Sequence, residues 1–129
     1  MRSRAFVKSA LLCLPLLAAA CGPMDGGGGG NPTNITYSED ASEHRGKNGQ
    51  RFRYVCPPNG TTSSVWGTDV YTDDSSICTA AVHAGKFSLA AGGTVTIEIR
   101  PGQAAYVGTT RNSVTSSDYG SWSGSFVFP

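Results

Sequence analysis

Apolar and polar residues alternate along residues 94–100, with Val95, Ile97 and Ile99 on one side and Thr94, Thr96, Glu98 and Arg100 on the other. A period of two marks a strand with one face in a core. Phe52-Arg53-Tyr54-Val55-Cys56 repeats the pattern, placing Phe52, Tyr54 and Cys56 together, and residues 122–128 group Trp122, Gly124, Phe126 and Phe128. Pro101-Gly102 predicts a turn, after which Ala105-Tyr106-Val107 returns as a strand.

Residues 73–85 break this rhythm. Asp73, Asp74, Ser75 and Ser76 suit a helix start, where side-chain oxygens cap free N–H groups and acids meet the positive dipole end. Gly85 is a natural stop, followed by Lys86. Between them Ile77, Cys78, Ala80, Ala81, Val82 and Ala84 leave Thr79 and His83, four apart, as the one polar stripe. A helix apolar nearly all round is buried all round. The prediction is a small α+β domain with one short central helix wrapped by sheet.

The first twenty residues have a different layout. Arg2, Arg4 and Lys8 precede an apolar run from Ala10 to Ala20, interrupted by Pro15 and followed by Cys21. This is the order of a secretory signal, and the run is too short to span a bilayer core of about 20 residues. Leu17-Ala18-Ala19-Ala20-Cys21-Gly22 resembles a bacterial lipobox, with Ala18 where Leu is commoner. The resemblance implies cleavage before Cys21 and lipid on its sulfur and amino group, hence a membrane partner through the anchor. Gly22 is not the Asp that resembles an inner-membrane retention signal, which favours the outer membrane of a Gram-negative envelope. Residues 1–20 are thus read as a lipoprotein signal peptide. Residues 21–44, with five consecutive glycines, are read as a lipidated Cys and flexible Gly-rich tether, and 45–129 as the folded domain.

Composition adds limits. The chain of 129 residues has room for one domain, and 17 Gly fit turns and short strands. Three of its ten Lys and Arg lie in the leader, so the formal charge falls from +1 to −2 without them. That total offers no electrostatic reason for nucleic-acid or anionic-membrane binding. Of four Cys, Cys13 leaves with the leader and Cys21 carries lipid. Cys56 and Cys78 remain, and an even pair in an oxidising compartment suggests one disulfide. Zinc fits poorly, since two Cys and one nearby His do not complete four ligands.

Residues 65–85, VWGTDVYTDDSSICTAAVHAG, resemble the signature of the LCCL domain family through Tyr71, Ser75 and Ser76 before Cys78, and Ala80, Ala81, His83 and Gly85. Val55-Cys56-Pro57, Gly92-Gly93, Pro101-Gly102 and Ser125-Phe126 follow in the family's order, so the likeness covers about 85 residues. It implies a central helix flanked by two antiparallel β-sheets. It also implies an extracellular, non-catalytic module without cofactor, for which lipopolysaccharide or related polysaccharide binding has been suggested in some members. Animal members usually carry four cysteines, including one in a Cys-Pro-x-x-Cys stretch where this chain has Gly60. The lost cysteines are possible partners there, so the Cys56–Cys78 pairing is an inference from what remains.

The motif residues are read as structural, with His83 on a buried helix bonded to a loop carbonyl. Ser75 or Ser76 with His83 lacks an acid placed to orient the imidazole, so no catalytic residue is assigned. Residues 120–124 mimic a nucleophile elbow but centre on Trp122. Asp69, Asp73 and Asp74 lack the EF-hand loop pattern and are read as caps, so no metal site is assigned. The sequons at Asn34 and Asn59 are read as chance matches. Trp66, Tyr106, Tyr119 and Trp122 are the candidate ligand-binding residues, because a flat ring stacks on an apolar sugar face. Two roles follow: a binding module for envelope lipopolysaccharide or other glycan, or a structural domain docking on an envelope protein. A small hydrolase using His83 is the third and weakest.

Overall fold

The computed structural model describes residues 30–129; the leader with Cys13, Cys21 and all but the last of the five glycines lie outside them. The strands are β1 (Thr33–Asn34), β2 (Arg51–Cys56), β3 (Gly67–Thr68), β4 (Val70–Thr72), β5 (Gly93–Gln103), β6 (Thr110–Arg111), β7 (Val114–Thr115) and β8 (Trp122–Val127). One helix, α1 (Ile77–His83), and a 3₁₀ turn at Ser42–His44 complete them. Six strands form a sheet in the order β1-β2-β5-β8-β4-β3, and β6-β7 form a second, two-stranded one. The small α+β class with one short helix and two sheets is therefore observed. The main sheet is not wholly antiparallel, because β1 runs parallel to β2.

The alternating runs become the two central pairings. Phe52 pairs with Ile97 and Tyr54 with Val95, while Ile99 pairs with Phe126. Ile97, Ile99 and Phe126 are fully buried. All seven residues of α1 are buried too, as a nearly all-apolar helix requires. Ser76 caps α1, its hydroxyl accepting from Thr79 N–H at 3.1 Å. At the other end Gly85 adopts φ +81°, its N–H reaching Val82 O while Lys86 N–H reaches Ala81 O. These two bonds satisfy carbonyls that the helix end would leave bare. The Cys56–Cys78 disulfide ties the end of β2 to the first turn of α1, with Cα atoms 5.7 Å apart.

Two expectations need correction. No turn forms at Pro101-Gly102; β5 runs on to Gln103, with Pro101 opposite Gly124. Ile99 N–H points toward Gln50 O, so the missing N–H of Pro101, two residues on, falls where β2 has not yet begun and no ladder bond is lost. Ala105-Tyr106-Val107 is then no strand, and Tyr106 makes only an isolated bridge to Tyr119.

The second correction concerns the tether reading of 21–44, which does not hold for 33–44. Tyr37 and Ala41 are buried in the core, and Ile35 N–H donates to Val55 O at 3.0 Å. Ile77 N–H, an orphan donor of α1, is satisfied by Glu39 O at 3.1 Å, and Ser76 Oγ donates to Tyr37 O at 2.7 Å. The Tyr37 ring lies where a Cβ at Gly60 would stand, so this position has no room for a side chain here.

Candidate functional site

Trp66, Tyr119 and Trp122 come together in one row. Trp66 precedes β3 and donates its backbone N–H to Ser75 Oγ at 3.0 Å; Trp122 opens β8 opposite Gln103. Tyr119 stands edge-on between them, its ring centroid 6.3 Å from that of Trp66 and 5.6 Å from that of Trp122. Both Trp rings are half-buried, while Tyr119 is 43% exposed. Tyr106, the fourth candidate, does not belong: it is 3% exposed. Its hydroxyl accepts from Gln103 N–H at 3.0 Å and reaches the Trp122 and Gly124 carbonyls, which places it in the core.

The row is held at its β8 end by a buried carboxylate. Asp73 is fully buried and receives Arg45 Nε at 2.8 Å, Arg45 Nη2 at 2.7 Å and Trp122 Nε1 at 2.8 Å. Arg45 Cζ also sits 5.2 Å from the Trp122 ring, within cation–π range. Burial alone pushes the Asp73 carboxyl up, but the hydrogen bonds from Arg45 and Trp122, with the Arg45 charge, outweigh it and hold it below the ordinary range. A Cβ at Gly124 would collide with Asp73, so only glycine admits the carboxylate here. Asp73 is thus an ion-pair anchor rather than a cap, and exposed Asp69 pairs with Arg111 at 2.8 Å instead of capping.

The motif residues turn inward. His83 Nε2 lies 3.1 Å from the Thr109 carbonyl and 3.2 Å from the Thr109 hydroxyl, and a proton on Nε2 suits the carbonyl, which can only accept. Nδ1 then accepts from the Tyr71 hydroxyl at 2.9 Å. Asn112 Nδ2 donates to His83 O at 2.9 Å, adding a second clamp between α1 and the β6-β7 turn. Ser75 Oγ is taken up by Trp66 N–H and Thr72 Oγ1, and Ser76 Oγ by Tyr37 O and the Thr79 amide. Neither hydroxyl is hydrogen-bonded to His83. Ala80 and Ala81 are fully buried on α1, where small side chains let β-structure close around it.

Sequence reasoning missed Arg45, whose partner lies 28 positions away and shares no local pattern with it. It also missed an open apolar cleft of about 650 Å³ beside the end of α1, lined by Val82, Phe87, Leu89 and Val114 among others. The signal for it was weak, two isolated apolar residues in the loop after Gly85.

Among the described residues, one buried helix, a disulfide joining it to a sheet, and a motif whose side chains from Tyr71 to His83 turn inward define a small module with an outward aromatic row. The LCCL domain family matches residues 33–126, and the chain belongs to that family. It is 46% identical over 56 residues to Cysteine-rich secretory protein LCCL domain-containing 2 of Homo sapiens, covering 43% of this chain and 11% of that protein. It is 35% identical over 104 residues to cochlin of Cavia porcellus, covering 79% and 18% respectively. With Clotting factor C of Tachypleus tridentatus it shares 34% over 82 residues, covering 62% and 8%. The chain therefore spans less than a fifth of the length of these relatives.

Proposed function

We propose that this LCCL domain is a non-catalytic extracytoplasmic binding module, anchored to a bacterial envelope through lipid on Cys21, that recognises lipopolysaccharide or another glycan. The observation that carries the binding reading is the continuous row of Trp66, Tyr119 and Trp122, edge against edge at the surface. Rigid aromatic groups give stacking area at little entropic cost, and Asp73 fixes the Trp122 ring in advance. The engagement of both Ser75 and Ser76 hydroxyls elsewhere supports a non-catalytic role. The printed name of one relative, a secretory protein, is in keeping with an extracytoplasmic site.

Calorimetry with lipopolysaccharide and with neutral envelope polysaccharides tests the reading. Tyr119→Ala is expected to weaken binding by roughly tenfold without moving the thermal midpoint, since truncating an interface aromatic costs about 1–2 kcal/mol or more. Absence of binding to every glycan tried sinks the proposal. Intact mass spectrometry of membrane-extracted protein tests the anchor: acylated Cys21 at the new N-terminus is expected, and an unmodified thiol refutes it. A second reading, docking on an envelope protein, is favoured by the cleft beside Phe87 and Leu89. In that case crosslinking should recover one reproducible partner, lost on Leu89→Asp.

A further inference from the structure

The described residues carry one more acidic than basic side chain, yet their cations are segregated. Arg51 and Arg53 on β2 pair opposite Glu98 and Thr96 of β5, so they lie on the side of the sheet away from Ile97 and Ile99. Arg100 shares that side, two residues beyond Glu98. Lys47 stands on the other side, its Nζ 5.9 Å from the ring of Phe52, which pairs with Ile97.

The way these arginines are used separates them from the others. Glu98 accepts one nitrogen from each of two, Arg51 Nε at 3.0 Å and Arg100 Nε at 2.6 Å. Arg53 gives one nitrogen, Nη1, to Gly30 O at 3.1 Å. A guanidinium has five N–H donors, so among the described residues most donors of all three remain without a protein acceptor. Arg51 and Arg100 are about half exposed, at 47% and 48%. Arg45 and Arg111, by contrast, each place two nitrogens on a carboxylate. Glu98 is the acid on this face, and three arginines stand against it.

The chain enters the fold at this place. Arg53 holds the Gly30 carbonyl, and Gly30 is nine residues beyond Cys21, a reach of at most about 30 Å when fully extended. We infer that the face bearing Arg51, Arg53 and Arg100 lies against the phosphate-bearing headgroups of an anionic lipid surface. Guanidinium donors with free forks match phosphate oxygens, and the short connection keeps this face near the bilayer. The inference rests on the Cys21 anchor for the tether alone; the match of charge and geometry stands without it. The total charge, read from the sequence as giving no reason for such binding, hid the segregation.

The test uses residues 22–129, which contain the whole described fold and carry no acyl chain, in co-sedimentation with vesicles. Binding to phosphatidylcholine vesicles containing about 30% phosphatidylglycerol should exceed binding to pure phosphatidylcholine and fall as salt rises. Each cation near an anionic leaflet contributes about fivefold in partitioning, so Arg51→Gln with Arg53→Gln should lower it by roughly 25-fold, while Lys86→Gln leaves it unchanged. If the double variant fails to fold by circular dichroism, the salt dependence and lipid preference of the unaltered protein decide. Equal partitioning to both vesicle types overturns the inference. Binding to dextran sulfate but to neither vesicle also overturns it and assigns the face to a soluble polyanion. Anionic-vesicle binding with an unmodified Cys21 removes the anchor and leaves the face; an acylated Cys21 without anionic preference does the reverse.

Discussion

Asp73 lies wholly buried between Arg45 and Trp122, so removing either donor affects both fold and site. Arg45→Ala leaves a buried carboxylate without its counter-charge and should lower unfolding free energy by about 3 kcal/mol, read by urea denaturation. Asp73→Asn in that background should recover part of the loss, because a neutral amide tolerates the same site. The pH dependence has a definite sign. A carboxyl held below its ordinary value stabilises the fold above about pH 4, and that contribution is lost as pH falls through the lowered value. The thermal midpoint of the unaltered protein should therefore drop in acid below about pH 4. In Arg45→Ala, burial raises the Asp73 carboxyl and its protonation relieves the unpaired charge, so the variant's deficit relative to the unaltered protein should shrink as pH falls. None of this was legible beforehand, because Asp73 meets Arg45 and Trp122 across 28 and 49 positions. Its neighbours in sequence suggested a cap, and only the return of β8 past Gly124 turned it into an anchor.

At the level of elements, α1 was the most legible piece, since its apolar content and flanking residues demanded burial on all sides. Its regular part is shorter than residues 73–85, starting after Ser76 and ending before the Gly85 turn. Gly85 at φ +81° closes it, and a Cβ there would press on Asn112 Nδ2, which holds His83 O. Gly85→Ala should cost about 1–2 kcal/mol, seen as a lower urea midpoint with unchanged slope. The strands on alternating runs were equally readable. β1 was not: Thr33–Asn34 has no alternation, and it pairs with β2 just ahead of Tyr37 and Ala41, which are buried in the core. The Pro101-Gly102 turn failed for a related reason. Local turn chemistry loses to a ladder when the missing N–H faces an unoccupied edge.

For the molecule as a whole, the Cys56–Cys78 bridge closes a loop 22 residues apart in sequence around a domain with a small core. Cys56→Ser with Cys78→Ser should reduce stability by about 3 kcal/mol in the chain-entropy model, measured as the difference between the variant and the oxidised protein. Replacing both residues avoids leaving a free thiol. The same scale governs the surface. The row of Trp66, Tyr119 and Trp122 and the cationic face of Arg51, Arg53 and Arg100 each gather residues from strands or loops far apart in the chain.

The amino-acid sequence determined the family, the buried helix, the alternating strands and the two cysteines left for a bridge, because each is written in local periodicity or in residue types at set spacing. Only the tertiary structure decided that residues 33–44 join the core, that Tyr106 leaves the candidate ring set, that Asp73 takes Arg45, and where the cations collect. Those outcomes depend on which strands become neighbours. Neighbour choice is settled by the summed burial and hydrogen bonding of the whole sheet, and no short window of sequence carries that sum.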